Sequence, residues 1–512
     1  MGMNQTNFQG YATRRRARPE ALALPANPPA PSPAHEKIDA FHRLVWGALI
    51  ISLPFTAVSA WPEKLKTFGQ PAVFLVVFLT ALTLASAVLP RGRLFIPRGR
   101  SAILIVAFLA IAVLSFFVSY PINPYMWPGH SPWSKSAKQL AQWLVDGAMV
   151  YLTVRFVQTW RDFRFALRCC FIGFLCTVGA AVVNIAAVHW PSGKAATLFN
   201  LLHNGAWSQQ TTRLTLLAYE PSMASDYLLF IIPLLICGSY YWKSRGWILV
   251  WSVVGLVLLC GTFSLGSFVA LFVAAAVVLI VYARRGSKGL VVALLLLLSV
   301  IGIAVINSSK GEQFIGDRIN QVIENGLGPS IPNFSTRQRL AGAEAAFNIF
   351  LEHPLTGVGV GKSPFYMYAT YPVWGLTQGD ISQATFGSTS PAGAICFNLF
   401  IQTLAEMGLL GGLLFFALLL SMLADCYRAL NSAEIWWKRR VFVGILFALV
   451  AQVIHYNAMS WLSFRYWFFI WGLAICAPRL LKQKDPRMPS GRVILRTMSS
   501  IPSLRGELSK AR

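Results

Sequence analysis

The sequence predicts an all-α polytopic membrane protein of about twelve transmembrane helices, N-terminus in and C-terminus in, with a large outer loop that itself contains helices. Three observations predict it. Of 512 residues 55% are hydrophobic and 12% charged, about half the ~25% charged content of globular domains, and mean hydropathy is +0.56. Seventeen Trp, 35 Phe and 15 Tyr supply aromatic rings of the kind that settle at membrane–water boundaries. Apolar runs approaching the ~20 residues that cross a bilayer recur along the chain. This composition excludes a disordered chain, a secreted disulfide scaffold and an ordinary cytosolic enzyme.

The runs fall at 44–60, 71–89, 101–119, 137–156, 166–188, 223–241, 247–261, 267–283, 289–306, 395–423, 441–457 and 461–477. The chain accordingly divides into a disordered basic tail (1–43), spans one to nine (44–306) with an outer segment at 189–222, a large outer loop (307–394), spans ten to twelve (395–477) and a second basic tail (478–512). The net charge of +25 raises the question of nucleic acid, and the location of the charges answers it. Segments assigned to the cytoplasm hold 32 of the 44 Lys and Arg, the other side 11, and Arg465 lies within the last span. That is the positive-inside bias, and it needs no nucleic acid. Blocks such as Arg14-Arg15-Arg16 read as solvated tails near anionic lipid. The stretch 247–283 is split at Thr262–Ser267, because one long helix there would place the basic stretches 284–288, 438–440 and 479–512 outside.

All eight cysteines fall within or beside apolar spans, so neither a disulfide framework nor a zinc site is expected. Some 43 residues precede the first apolar run, too late for a cleavable signal peptide. Within them Ala21 to Ala34 is Ala/Pro-rich and reads as polyproline-like. Inner connections are short and basic, whereas the outer loop 307–394 is far longer than an ordinary connection, and such loops carry function. Inside it Leu340, Ala343, Phe347, Phe350 and Leu351 recur at helical spacing. A helix over Ser335–Leu351 ends before Pro354 and the Gly-rich turn Gly357-Val358-Gly359-Val360-Gly361.

Gly361-Lys362-Ser363 imitates the end of a phosphate-binding P-loop. The pattern requires Gly five residues before Gly361, where Thr356 stands, and the turn follows a helix instead of a strand. It reads as a tight turn. The outer arginines are more informative. Arg213 precedes the sixth span, whose first turn suits Pro221. Arg337 and Arg339 start the loop helix, and Arg465 lies about four residues into the last span. An intramembrane arginine is costly and marks function by default, and a guanidinium presents a planar fork of donors that fits phosphate oxygens. Each equally reads as a snorkelling or ion-paired interface arginine. Asp146, inside the fourth span, is expected to pair with Lys138 or with a group on another helix, and it keeps a transporter reading open. Proton acceptors on the outer side are Glu220, His203, Asp380, His353 and His455. Glu220 leads by its place seven residues after Arg213, and reads equally as a helix-N-terminal carboxylate or a partner of Arg213.

From Arg213 to Leu423 the chain resembles the O-antigen ligase and Wzy-type polysaccharide polymerase superfamily, bacterial integral-membrane glycosyltransferases of GT-C-like architecture. Arg213 followed by Glu220-Pro221-Ser222 resembles the arginine preceding a helix in the family's middle outer loop. Thr262-Phe263-Ser264-Leu265-Gly266-Ser267 resembles its Ser-Arg-Gly turn, with Leu265 in place of the arginine. Arg339, fifteen residues ahead of Pro354-Leu355-Thr356-Gly357-Val358-Gly359, resembles the arginine that begins the large-loop helix. Phe397-Asn398, then nine residues and Gly408-Leu409-Leu410-Gly411, resembles the signature His-Asn, nine residues, Gly-x-x-Gly, with Phe397 where the ligase pattern has histidine.

The resemblance implies a multi-pass protein of the bacterial inner membrane with its site facing the periplasm. Its reaction would be glycosyl transfer from an undecaprenyl diphosphate-linked glycan donor to a glycan acceptor. It implies Arg213 and Arg339 as a diphosphate clamp with Glu220 as base. Arg337 and Arg465 would support the clamp, with Asn398, His203 and Glu406 as further substrate contacts and Glu406 as an arginine partner. No cofactor is implied. Asp317, Glu324 and Asp380 are scattered and match no ligand motif, so a metal-independent transfer is expected. Phenylalanine at 397 carries no proton, which favours a repeat-unit polymerase with a chain-length regulator as partner over a ligase acting on lipid A-core or protein. A transporter or lipid-carrier flippase is the third reading. Transporters often carry repeated halves, and no internal repeat is visible.

Overall fold

The computed structural model describes residues 33–58, 70–88, 95–97, 99–118, 125–191, 193–203, 213–239, 245–283, 317–325, 334–377, 379–387, 394–458 and 464–483. The expected span 289–306, the first 32 residues and the tail beyond 483 lie outside them. Every other expected span overlaps a helix. These are α1 (Pro33–Ser52), α2 (Pro71–Val88), α3 (Arg100–Phe116), α4 (Pro132–Phe156), α5 (Trp160–His189), α7 (Pro221–Gly238), α8 (Arg245–Gly261), α9 (Leu265–Ala283), α15 (Leu399–Ser432), α16 (Trp436–His455) and α17 (Arg465–Lys482). Between them lie α6 (Lys194–Leu202), α10 (Asp317–Asn325), α11 (Phe334–Glu352), α12 (Ser363–Thr370), α13 (Val373–Leu376) and α14 (Gly379–Thr385). Among the described residues there is no strand.

Local chemistry starts these helices where the sequence allows it. Ser131 accepts from Ser134 N at 3.0 Å with Pro132 opening α4, and Thr159 and Asp162 close a reciprocal capping box on α5. The helix α1 begins at Pro33, eleven residues before the expected span. Pro33 suits a first turn, and Ala34-His35-Glu36-Lys37 contains no breaker. The helices α8 and α9 are separate, broken at 262–264, where the charge argument divided them.

Trp160–His189, Pro221–Gly238 and Leu399–Ser432 are long and apolar enough to cross a membrane. Pro71–Ala87, Arg100–Phe116, Gly246–Gly261 and Leu265–Val281 are shorter apolar helices. Together with the composition, they make the chain an integral membrane protein. The core is aromatic: Trp46, Trp160, Trp437, Trp471, Phe174, Phe415, Phe442 and Phe469 are fully buried. In it α16 lies against α7 and α9, α17 against α4, and α15 against α3, α11, α16 and α17. A second, smaller core joins Ala341, Ala345 and Ile349 of α11 to Phe365, Met367, Tyr371, Ile381 and Trp127. The free cysteines make no disulfide.

Candidate functional site

Arg213 caps the end of α8. Its Nε donates to Thr262 O at 2.8 Å and its Nη2 to Phe263 O at 3.0 Å, while Leu214 N donates to Gly261 O at 3.0 Å. The last carbonyls of a helix lack intrahelical donors and carry partial negative charge, so a guanidinium is well placed there. Phe263 has φ 47°, a left-handed conformation that strains a bulky side chain. The guanidinium thus holds closed the same turn, 262–267, that the sequence singled out for a separate reason.

The segment after Arg213 is fixed along its length. Thr215 N donates to Asn184 Oδ1 at 3.0 Å, and Leu217 O accepts from Thr56 N at 3.1 Å and Ala57 N at 2.9 Å. His203 is buried, with Nδ1 3.0 Å from Phe199 O and Nε2 3.1 Å from Ala218 O. Burial pulls its pKa down, opposed by those two carbonyls. It ties α6 to this segment. Glu220 stands at the N-cap position of α7, exposed, and its Oε2 accepts from Ser222 Oγ at 3.2 Å.

Arg339 is half-buried on the first turns of α11, its Cζ 4.7 Å above the centre of the Phe397 ring. The position where the ligase pattern has histidine therefore holds an arginine by its aromatic face. Arg337 is two residues away on the same helix, about 200° around the axis, so it does not share the face of Arg339. Asn398 is the N-cap of α15: its Oδ1 accepts from Phe400 N and Ile401 N, both at 3.1 Å, and its Nδ2 lies 3.4 Å from Asn457 Oδ1.

The two glycine motifs turn out to be halves of one joint. Helix α15 is broken at Gly408 (φ 63°, ψ −164°). There Val358 N donates to Ala405 O at 2.9 Å, Gly359 N to Glu406 O at 2.9 Å, and Leu409 N to Pro354 O at 2.7 Å. Two donors of the P-loop-like turn, Val358 N and Gly359 N, are thus engaged by helix carbonyls. Lys362 Nζ donates to Phe116 O at 3.1 Å and to Val118 O at the end of α3, and it lies 3.9 Å over Trp133. Glu406 is buried at the joint, accepting on Oε1 from Ser363 Oγ at 2.7 Å and Gln402 Nε2 at 3.1 Å. Gly361 N is a further donor, and the cation facing the carboxylate is Lys135, where the sequence suggested an arginine. A 399–408 pattern read as one continuous helix hides this break; the two glycines were its only signal.

Arg465 is the first residue of α17, where the sequence reading put it about four residues inside a span. Its Nη1 donates to Gln70 Oε1 at 2.8 Å, and its Nε lies 3.5 Å from Asp146 Oδ1, both charges buried. Asp146 thereby finds its partner on another helix. A second buried pair, His455 Nδ1 and Asp226 Oδ1, joins α16 to α7.

These contacts collect the site residues at one end of the bundle. Arg213 holds the α8–α9 turn close before α7 begins; Asp226, in the second turn of α7, meets His455 at the end of α16; Asn457 follows and reaches Asn398; Phe397 carries Arg339. Among the described residues no three His, Cys, Asp or Glu side chains group as metal ligands. No curated protein matches the chain. Residues 248–416, from α8 through the joint at Gly408, match the family model described as O-antigen ligase, and over these residues the chain is similar to that family.

Proposed function

We propose that this protein polymerises undecaprenyl diphosphate-linked oligosaccharide repeat units into a surface or exopolysaccharide at the periplasmic face of the bacterial inner membrane. The family model supports ligase- or polymerase-type glycosyl transfer. The observation that carries the finer reading is that Arg213 and Arg339 both lie at the end of the bundle where α7 and α15 begin, one against the α8–α9 turn and one over the Phe397 ring. In the proposed reaction an acceptor hydroxyl attacks the anomeric carbon with inversion. The new glycosidic C–O bond forms as the bond to the diphosphate oxygen breaks, and undecaprenyl diphosphate leaves. The leaving group needs its developing charge stabilised, which is an electrostatic task for pre-placed guanidinium groups and calls for no metal. Glu220 takes the hydroxyl proton. A chain-length regulator is the proposed partner.

Phe397 favours the polymerase over a ligase, since the ligase pattern has a proton-carrying side chain there. The pairing of Asp146 with Arg465 supports a structural tie between α4 and α17 over a transport role for that charge. The test is a reconstituted assay with undecaprenyl diphosphate-linked repeat units. Arg213→Ala and Arg339→Ala should each lower turnover by about 10²–10³-fold, the scale of losing one oxyanion-hole donor. Retained polymerisation in both variants would defeat the clamp. Laddered products without a second acceptor identify the polymerase, whereas single transfer that depends on an added acceptor identifies a ligase.

A further inference from the structure

We infer that Phe397 is a positioning residue for Arg339: the face of its ring sets where that guanidinium stands, without engaging an N–H donor or cancelling the charge. The inference rests on the reading above, in which Arg339 binds the diphosphate.

Three features carry it. The guanidinium carbon lies 4.7 Å from the ring centre, inside the ~6 Å over which a cation is drawn to an aromatic quadrupole. Both side chains are half-buried, which strengthens the attraction relative to open solvent. Finally, each partner is anchored by its own element. One turn after Arg339, a Cβ at Gly342 would lie 2.4 Å from Ile395 O, so α11 is pressed against the chain just before Phe397. One residue after Phe397, the Asn398 side chain fixes the start of α15 with two hydrogen bonds. The ring is therefore held from both sides.

The kind of partner matters as much as its place. Arg465 faces the carboxylate of Asp146, which offsets its charge and competes for the donors an anionic ligand needs. Arg213 gives Nε and Nη2 to backbone carbonyls. A phenyl ring offers no acceptor oxygen, so this contact orients the guanidinium through its face and not through its N–H donors. A phenyl ring also does not titrate, so the placement it provides is the same at every pH. Histidine at this position would place an imidazolium beside a guanidinium below its pKa of about 6.5.

The experiment uses the full-length protein in lipid nanodiscs with undecaprenyl diphosphate-linked oligosaccharide as donor. F397Y and F397W keep a ring face and should stay within about threefold of wild type. F397L removes the quadrupole at similar bulk and should lower kcat/KM for the donor by about 2- to 30-fold, the range spanned by a cation–π contact. F397L combined with R339A should be no worse than R339A alone. F397H should match F397Y near pH 8 and lose activity below about pH 6.5, a change that a merely structural role would not produce. If F397L also lowers the unfolding midpoint, the comparison of F397Y with F397H decides. Full activity of F397L, or one pH profile shared by F397H and F397Y, overturns the inference while an inactive R339A leaves the clamp standing. An active R339A removes the clamp and this inference with it.

Discussion

Gly408→Ala tests the joint between the turn and the kinked helix. Gly408 occupies φ 63°, ψ −164°, a region essentially closed to side-chain-bearing residues and worth about 1–3 kcal/mol of strain. A Cβ there would lie 2.3 Å from Leu355 C and O and 2.5 Å from Thr356 N, backbone that cannot swing aside as a side-chain tip can. Relief of the overlap separates α15 from residues 354–359. The hydrogen bonds at Leu409 N, Val358 N and Gly359 N are then weakened or lost, at about 0.5–1.5 kcal/mol each. The expected destabilisation is about 3–6 kcal/mol. Gly179→Ala is the control: it lies inside α5 with nothing within 4 Å of the added carbon, and should gain up to about 1 kcal/mol of helix propensity. Thermal unfolding in nanodiscs reads both. An unfolding midpoint for Gly408→Ala equal to wild type, or to Gly179→Ala, refutes the joint.

Breaking the buried pair by Asp146→Asn or Arg465→Met should cost about 3–5 kcal/mol, because the surviving group stays buried without its partner. The combined D146N/R465M variant should recover a large part of that, and equal midpoints for the single and combined variants would contradict the pairing. His203 gives a pH dependence. Its folded pKa lies below the ordinary 6.5 because it is buried, so the unfolded chain binds more protons as pH falls through about 6.5 toward the folded value. Stability is therefore present above that window and is lost on acidification through it. Hydrogen exchange at residues 214–218 should show the loss, and His203→Gln should remove it; the same pH response in both proteins would clear His203 of the role.

The spans were legible because apolar length and basic-residue location are properties of the sequence itself. The break at 262–264 was found from charge alone. The joint at Gly408 was not, because the continuation of apolar residues across 399–423 matches an unbroken helix, and only a distant turn at 354–359 makes a kink favourable there. Asp146 and Arg465 each announced themselves as costly intramembrane charges, but their pairing depends on α4 packing against α17, a contact between segments more than 300 residues apart. Asn398 was visible as a polar residue near a span end, and His203 as a titratable residue in the outer segment 189–222. The cap bonds of Asn398 and the His203–Phe199 bond follow local spacing, whereas the second partner of His203, the carbonyl of Ala218, is set by tertiary geometry.

Those partners sort the four arginines, which composition alone treats alike. Arg465 has a carboxylate and a neutral amide and sits buried, so displacing it toward a ligand would strand Asp146 in the bundle. Its chemistry is that of a tie between α4, α17 and Gln70, which in turn donates to Thr56 O at 2.7 Å, next to the backbone that holds Leu217. Arg337 points to another side of α11 than Arg339. Two of the contacts described above differ in kind from the Asp146 contact of Arg465: carbonyl dipoles touch Arg213 and a ring quadrupole touches Arg339. A dipole or a quadrupole orients a guanidinium without itself neutralising it. That difference in contact chemistry supports the proposed clamp at Arg213 and Arg339, and it makes Arg465 a tie within the bundle.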